Sequence, residues 1–347
     1  MAMHIDAPLV VGGAVITPGV PYFGGKSFYV DYVNGSDGQD GLSPVASASN
    51  PRTGPKKTLD AAYDDCTDGA GDTIFILSGD HGTTYTQRLS EAFTWAKDNT
   101  HLIGLASGVA TSSRARVSEL STFTLGAAGT LFTVSGSNCR FQNIAFWQAT
   151  DIANAACVGV TGSRNAFVNC HIAGITGATA GADDGGCCLY LQGSENEFHN
   201  CVIGISTIGR SAASAELRIA RASASAPAER NIFADCKFLS WATGTGHFYV
   251  QWATNGATQT QSVNDTTDWT LFQRCNFIGR LIGTGCATMT VGLDMSASIN
   301  GVVFLEDCKF AQVTDIVTGD ASTRVFANSY KDAQGGIAGL YTGTATT

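Results

Sequence analysis

The chain has 347 residues, of which 44% are hydrophobic and only 14% are charged, and its formal net charge is −9. That charge argues against a general surface for nucleic acid or anionic membranes. The sequence contains no run of about 18 apolar residues, so we do not expect membrane insertion. The 41 glycines and many other small residues favour short strands and frequent turns, so we expect an all-β protein.

Residues 1–27 are predicted to form an N-terminal docking arm. The segment is apolar, contains Pro8, Pro18 and Pro21, and lacks a helical period. It carries Asp6 and no basic run before its apolar part, so we do not expect a signal peptide. An extended arm of this kind suits attachment to a partner by strand or surface addition.

A short helix near residues 57–67 is predicted to cap a β domain that spans residues 28–317. Thr58 can open the helix, and the stretch GAGDTIFIL that follows supplies a glycine stop and a strongly apolar strand. A helix in this position would cover the open hydrophobic end of a stack of strands.

The Asp-rich stretch NGSDGQDG occupies residues 34–41. It lacks the spacing and the terminal glutamate of an EF-hand, so its glycines primarily predict a turn. We therefore predict no cofactor and no metal, with Ca²⁺ at this loop as the alternative.

One six-residue pattern occurs six times. Most copies have the order apolar, polar, Asn or Asp, Cys, polar, apolar. The copies are FQNIAF (141–146), FVNCHI (167–172), FHNCVI (198–203), FADCKF (233–238), FQRCNF (272–277) and LEDCKF (305–310). Their spacing is too irregular for helical repeats, whereas variable loops on a constant strand skeleton fit it. Each copy predicts two short strands joined at a corner, because Asn and Asp tolerate a left-handed backbone. Arg274 departs from this pattern and leaves its corner open to question.

A third apolar stretch precedes each copy. These stretches are LFTV (131–134), CVGV (157–160), CLYL (188–191), LRIA (217–220), FYVQW (248–252) and MTVGL (289–293). Three strands per copy, repeated in succession, predict a right-handed parallel β-helix with equivalent strands stacked about 4.8 Å apart. Residues 318–347 are expected to add a C-terminal strand and a tail.

The repeated cysteines are predicted to form a ladder inside the coils, because a free thiol is small and readily buried. The ladder consists of Cys170, Cys201, Cys236, Cys275 and Cys308. The corner residues are expected to form a parallel polar ladder that consists of Asn143, Asn169, Asn200, Asp235 and Asp307. None of the 11 cysteines forms a CxxC pair, so buried reduced thiols are favoured over disulfides or zinc.

The order YVxxxNGSDxxDGxSP, KTLDAA, GDTIxxLxG between residues 28 and 104 resembles the opening of right-handed parallel β-helix (pectin-lyase-like) proteins, and it looks most like versions encoded by tailed bacteriophages. The resemblance implies the fold. It leaves the activity open, because this fold hosts lyases, hydrolases, tailspikes and structural virion parts.

Candidate catalytic residues are few. A glycosidase needs two carboxylates about 5 to 9.5 Å apart beside a groove. The candidates are Asp183, Asp184, Glu306 and His247, and the alternative for the aspartates is a solvated loop tip. Tyr249 and Trp252 suit a sugar-stacking platform or, alternatively, the core or a subunit interface.

The residues predicted to face outward form no concentrated cluster of acids or bases. They are Val168, His199, Ala234, Gln273 and Glu306 on one face, and His171, Val202, Lys237, Asn276 and Lys309 on the next. An enzyme is therefore the less favoured reading.

Four features favour a phage virion structural protein, either a capsid decoration or a tail-associated knob or spike. They are the resemblance, the absence of a predicted signal peptide, the predicted reduced cysteines and the lack of a row of catalytic residues. We expect a homotrimer that is assembled in the host cytoplasm and bound to other virion proteins. The alternative is a polysaccharide-degrading tailspike or lyase that acts on a host surface glycan.

Overall fold

The computed structural model describes residues 24–77, 87–105, 115–126, 129–221, 227–252, 269–280, 285–296, 302–319, 324–327 and 330–331, and the backbone of two strands near the N-terminus. Those two strands, Leu9–Val11 and Ala14–Ile16, pair antiparallel with each other. The remainder of the predicted arm up to residue 23 and the predicted tail from residue 332 lie outside the described residues.

Three parallel sheets run the length of the domain, and each complete turn of the chain contributes one strand to each sheet. Sheet 1 contains Ser27–Val30, Thr73–Ile76, His101–Gly104, Arg140–Gln142, Ala166–Val168, Glu197–His199, Asn231–Ala234, Trp269–Gln273, Val302–Glu306 and Arg324–Ala327. Sheet 2 contains Gln87–Leu89, Arg116–Glu119, Ala145–Trp147, His171–Ala173, Val202–Gly204, Lys237–Ser240, Asn276–Gly279, Lys309–Phe310 and Tyr330–Lys331. Sheet 3 contains Phe93–Trp95, Thr130–Val134, Ala156–Val160, Cys187–Leu191, Ala215–Ile219, Phe248–Trp252, Met289–Met295 and Val313–Gly319. The predicted all-β, right-handed parallel β-helix is confirmed.

The corner between sheets 1 and 2 contains one residue with a left-handed backbone in each repeated coil. The φ angles are 56° at Asn143, 53° at Asn169, 51° at Asn200, 57° at Asp235, 51° at Arg274 and 52° at Asp307. Arg274 therefore makes the same turn as the asparagines, although arginine is not favoured there.

The corner side chains bond to one another along the axis. Asn169 donates through Nδ2 to Oδ1 of Asn143 at 2.8 Å, and Asn200 donates to Asn169 at 3.3 Å. Farther along, Arg274 donates two hydrogen bonds of 2.7 Å to Asp235. Arg274, which departs from the Asn or Asp pattern, thus forms an ion pair where the asparagine corners form an amide–amide hydrogen bond.

The interior contains stacks in which the same residue type recurs from one coil to the next. All five cysteines of the predicted ladder are fully buried, and each thiol donates to the carbonyl of a phenylalanine in the preceding coil at 3.2 to 3.4 Å. Phe167, Phe198 and Phe233 stack with ring centroids 4.7 and 4.6 Å apart. Burial raises the pKa of Cys170 and Cys236, so these thiols stay protonated and uncharged.

A second asparagine ladder lies where sheet 3 turns into sheet 1. Asn165 accepts from the backbone N–H of Cys139 at 2.8 Å, and Asn196 accepts from that of Asn165 at 2.9 Å. Asn231 continues the series by accepting from Asn196 at 2.9 Å. All three asparagines are buried, so their side chains satisfy turn N–H groups that water cannot reach.

The helix Leu59–Asp64 covers the N-terminal end of the coils, within the range predicted from the sequence. Thr58 caps it by accepting from the backbone N–H of Ala61. Lys97 fixes its other end, because Nζ donates to the carbonyls of Tyr63 at 2.5 Å and Cys66 at 2.7 Å. The second helix, Ala178–Gly181, lies in a loop between sheets 2 and 3.

The coils continue beyond residue 317. Val313–Gly319 pairs with Met289–Met295, and Arg324–Ala327 and Tyr330–Lys331 add further strands to sheets 1 and 2. No helix among the described residues is long and apolar enough to cross a membrane.

Candidate functional site

Asp183 and Asp184 lie in the loop that follows the helix Ala178–Gly181. Asp183 accepts through Oδ2 from the backbone N–H groups of Asn154 at 2.7 Å and Gly185 at 3.0 Å. Asp184 accepts through Oδ1 from Ala213 at 3.0 Å. Both carboxylates therefore tie the loop to neighbouring coils, and Asp184 is the more exposed of the two.

Arg218 lies beside this acidic loop on the outer face of sheet 3. It is 4% exposed, and its Nη2 donates to the carbonyls of Asp184 and Ala213. Burial lowers the pKa of Arg218, while Cys187, Tyr190 and the two aspartates partly oppose that effect. The sheet thus places a buried cation next to the acidic pair, which the sequence analysis did not anticipate.

Arg218 belongs to a row of polar residues that runs along the outside of sheet 3. The strand register aligns Tyr190 with Arg218 and Arg218 with Gln251, which in turn aligns with Asp294. Gln251 donates through Nε2 to Asp294 at 2.9 Å, and Ser296 donates to the same carboxylate. The carboxylate of this row is thus already bonded within the protein.

His247 lies in the interior and cannot meet a ligand there. It is fully buried with its Nδ1 3.1 Å from Oγ of Ser214 and its Nε2 3.4 Å from Oε1 of Glu216. Burial lowers the pKa of His247 and so favours the neutral ring.

Glu216 is the centre of this interior cluster. It accepts from Nε of Arg210 at 3.3 Å and from the thiol of Cys188 at 2.9 Å, and all three side chains are fully buried. Burial alone would raise the pKa of Glu216, but Arg210, His247 and Cys188 hold it below the ordinary value. Arg210 also donates to the carbonyls of Ile175 and Ile208, so the cluster ties the interior to the loops between sheets 2 and 3.

Tyr249 and Trp252 also belong to the core. They are 0% and 1% exposed, and the Tyr249 hydroxyl donates to the carbonyl of Ala311 at 2.8 Å. The sugar-platform interpretation is therefore wrong for this structure and the core alternative holds, because the strand presents these two aromatic rings inward.

Glu306 faces outward, as the sequence predicts. It aligns with Gln273 on the neighbouring strand and accepts from its Nε2 at 2.8 Å. The alignment of Val168, His199, Ala234, Gln273 and Glu306 in one outer row of sheet 1 is confirmed. Among the described residues of this row, no second carboxylate faces Glu306, so these residues supply no carboxylate pair.

Asp31 and the two carboxylates of the Asp-rich stretch, Asp37 and Asp40, bond to backbone N–H groups. Asp31 accepts from Val33 and Asn34, Asp37 accepts from Lys57 and Thr58, and Asp40 accepts from Leu42 and Gly54. Within the described ranges, no group of three or more His, Cys, Asp or Glu side chains is placed to hold a metal ion. These hydrogen bonds are those of a turn.

A cavity of about 520 Å³ opens near the N-terminal end, where sheet 2 turns towards sheet 3. Its walls include Tyr32, Arg88, Glu119, Phe123 and Thr150. Glu119 is only 4% exposed, and its Oε1 accepts from the backbone N–H and the hydroxyl of Thr150. Arg88 donates to the Glu119 carbonyl at 3.1 Å. A volume of this size accommodates a small ligand, and its walls combine charge, hydroxyls and aromatic rings.

Comparison with known proteins identifies only the fold. No protein-family model matches the sequence, and no curated protein matches it. Pectin methylesterase PemA from Erwinia chrysanthemi superposes with a TM-score of 0.52 at 16% identity, covering 85% of this chain and 90% of that one. Pectate lyase Pel9A gives a TM-score of 0.50 at 16% identity, covering 89% of this chain and 70% of that one.

A Geobacillus virus E2 protein, ORF18, gives a TM-score of 0.42 at 13% identity, covering 80% of this chain and 58% of its own, and at that similarity it carries no argument. At the identities of PemA and Pel9A the likeness concerns architecture and not chemistry. The chain is thus a parallel β-helix protein that shares its fold with pectate lyase and pectin methylesterase.

Proposed function

We propose that this chain is a structural component of a tailed-phage particle, a rigid β-helix rod or knob that binds neighbouring virion proteins. The observation that carries the proposal is the continuous bonding of each coil to the next through side chains. Two asparagine ladders, the thiol ladder and the phenylalanine stack each join successive coils. Such repetition resists bending and local opening, which suits a load-bearing part.

The sequence supports the phage assignment through the resemblance of residues 28–104 to phage-encoded β-helix proteins. Assembly in the host cytoplasm is consistent with 11 cysteines that are all free in the structure. A homotrimer attached through residues 1–27 is the assembly that we propose.

The test is whether the protein is present in purified particles. Particles from a producing phage would be purified and analysed by mass spectrometry, and an antibody raised against residues 28–331 would be used for immunogold labelling. We expect a fixed copy number per particle and labelling at one location. A variant that lacks residues 1–26 should fold but should not be incorporated into particles. A variant that lacks residues 335–347 is the control, because its deletion lies at the other end of the chain. Absence from particles would overturn the proposal.

A second candidate function, cleavage of a host surface glycan, is favoured by the placement of Asp183 and Asp184 beside Arg218 on an outer face. The test is depolymerisation of host capsule by purified protein. The double variant Asp183→Asn/Asp184→Asn should abolish it, while Asp315→Asn, a change at an exposed carboxylate elsewhere, should not. Depolymerisation lost only in the double variant would favour the enzyme over the structural part.

A further inference from the structure

The last coils present an apolar row on the outer face of sheet 1. The strand register aligns Ile232, Leu271, Phe304 and Phe326 along the axis of the β-helix. Phe326 is 38% exposed, and its ring stacks on that of Phe304 with centroids 5.2 Å apart. Earlier coils place Arg140, Ala166 and Glu197 in the same row. The apolar part is therefore confined to the C-terminal coils, where it adds to the water-exposed apolar surface.

The outer face of sheet 2 carries a second apolar row in the same coils. Leu239 aligns with Ile278 on the neighbouring strand, and Ile278 is 41% exposed. Ala311 takes the equivalent place in the next coil, where its backbone N–H donates to Phe277. The corner residues of these coils, one of which is Arg274, lie between the two faces. The chain thus has an apolar row on each side of one corner.

A row next to the corner separates it from each apolar row, and the charges of these two rows are complementary. On sheet 1 the row contains Ala234, Gln273 and Glu306, and on sheet 2 it contains Lys237, Asn276 and Lys309. Glu306 and Lys309 are both exposed and belong to the same coil. Contact between two like faces pairs no opposite charges from these rows. Contact between sheet 1 of one copy and sheet 2 of another, at equal height, brings Glu306 to Lys309.

We propose that three copies of this chain associate side by side, with the outer face of sheet 1 of each copy packed against the outer face of sheet 2 of the next. The axis of symmetry runs parallel to the β-helix, so residues of the same coil meet at the same height. The apolar pairs are then Ile232 with Leu239, Leu271 with Ile278, and Phe304 with Ala311. The rows next to the corner supply polar contacts beside this apolar centre, as in other protein interfaces.

Contact between unlike faces forms a closed ring when the rotation from one copy to the next returns to the first copy. The inference rests on the proposed homotrimer and names the two surfaces that form it.

The first experiment measures the oligomeric state of the full chain by sedimentation velocity at about 1 to 100 µM, and we expect a trimer. Leu271→Lys and Ile278→Lys each place a charge in one apolar row and should weaken the trimer at least about tenfold. Ala166→Lys changes the same row of sheet 1 three coils earlier and should leave the trimer unchanged. Circular dichroism and thermal unfolding confirm that each variant is folded.

A mixing experiment tests whether the contact joins unlike faces. Leu271→Lys leaves the sheet 2 face intact, and Ile278→Lys leaves the sheet 1 face intact. Each variant alone should be monomeric, whereas an equimolar mixture of differently labelled variants should form a heterodimer that cannot close into a ring. Contact between two sheet 1 faces predicts the opposite, because Ile278→Lys would then associate with itself.

A charge exchange tests the height at which the copies meet. Glu306→Lys alone brings two lysines together across the contact, and Lys309→Glu alone brings two glutamates together, so each should weaken the trimer. The double variant Glu306→Lys/Lys309→Glu restores opposite charges and should recover most of the lost affinity. The differences should shrink at high salt, because exposed charges are screened.

Three results would overturn the proposal. They are a chain that remains monomeric up to about 100 µM, an assembly with another number of copies, and a trimer that persists in folded Leu271→Lys and Ile278→Lys. Incorporation into particles is measured separately. Trimers that use these faces, in a protein absent from particles, would remove the particle role and leave the interface standing, and a monomeric particle protein would do the reverse.

Discussion

The thiol of Cys188 donates to Oε2 of Glu216 at 2.9 Å, whereas the five thiols of the cysteine ladder donate to backbone carbonyls. The strand register places Cys188 beside Glu216 on neighbouring strands of sheet 3. A carboxylate thus occupies an interior position that a small apolar residue would otherwise fill. Its charge is compensated by Arg210, which is also fully buried.

Removing this carboxylate should strongly destabilise the fold. In Glu216→Ala, the guanidinium of Arg210 remains buried without its anion, and we expect the free energy of unfolding to fall by about 3 to 5 kcal/mol. Urea denaturation followed by circular dichroism measures the change. Glu306→Ala removes an exposed carboxylate as a control and should cost less than about 1 kcal/mol. Equal losses in the two variants would refute a charge-compensating role for Glu216.

His101 should make the protein less stable in acid. Its Nδ1 accepts from the backbone N–H of Arg140 at 3.1 Å, which requires that this nitrogen carry no proton. Burial lowers the pKa of His101 to about 4 from an ordinary 6.5. The unfolded chain therefore binds a proton first as the pH falls, so stability is full above pH 6.5 and declines towards pH 4, by about 3 kcal/mol.

The variant His101→Asn isolates this contribution. Asparagine can accept the same hydrogen bond through Oδ1 but does not titrate, so the loss of stability between pH 6.5 and 4 should become smaller. His199→Asn changes an exposed histidine on the same sheet and serves as the control. Unfolding curves at several pH values provide the comparison. An unchanged slope in His101→Asn would show that other groups cause the acid sensitivity.

Thiol reactivity should separate Cys286 from the other cysteines. Cys286 is partly exposed, and the other ten are buried. Burial raises the pKa of Cys66 to about 12 and that of Cys188 well above its ordinary value, so little reactive thiolate forms. A thiol reagent should modify Cys286 quickly and the rest only after denaturation, and Cys286→Ser should remove the fast phase. Fast labelling of Cys170, Cys201 or Cys236 in native protein would contradict the ladder.

The repeated positions were predictable because each coil imposes the same demands on them. A left-handed corner selects Asn or Asp, and a narrow interior selects Cys. The ladder of Asn165, Asn196 and Asn231 carries the same kind of signal, since these residues recur at one place in GSRNAF, GSENEF and AERNIF. These asparagines lie two residues before the repeated stretch that contains the cysteines, so the cysteine pattern alone does not include them.

The polar cluster around Glu216 could not be predicted from the repeat. Cys157 and Val158 are consecutive and both belong to the core, so sheet 3 does not alternate strictly between inside and outside at this point. Glu216 enters the interior at the equivalent position, and its partners Arg210 and His247 come from a loop and from the next coil. Contacts that join different coils through loops of variable length leave no periodic signal in the sequence.

Arg274 tests how much the corner depends on backbone conformation and how much on the ion pair. Its φ is 51°, and both Arg274 and Asp235 are about half exposed, so their salt bridge should contribute at most about 1 kcal/mol. Arg274→Asn places a residue that tolerates this backbone and should change stability by less than about 1 kcal/mol.

Arg274→Val, by contrast, should cost about 1 to 2 kcal/mol more than Arg274→Asn, because a β-branched residue is strained at positive φ. Gln273→Val introduces the same side chain one residue earlier, in an extended strand where it fits, and should be nearly neutral. Urea denaturation of the three variants measures the differences. If Arg274→Asn and Arg274→Val were equally destabilised, the ion pair with Asp235, and not the left-handed backbone, would determine what this corner accepts.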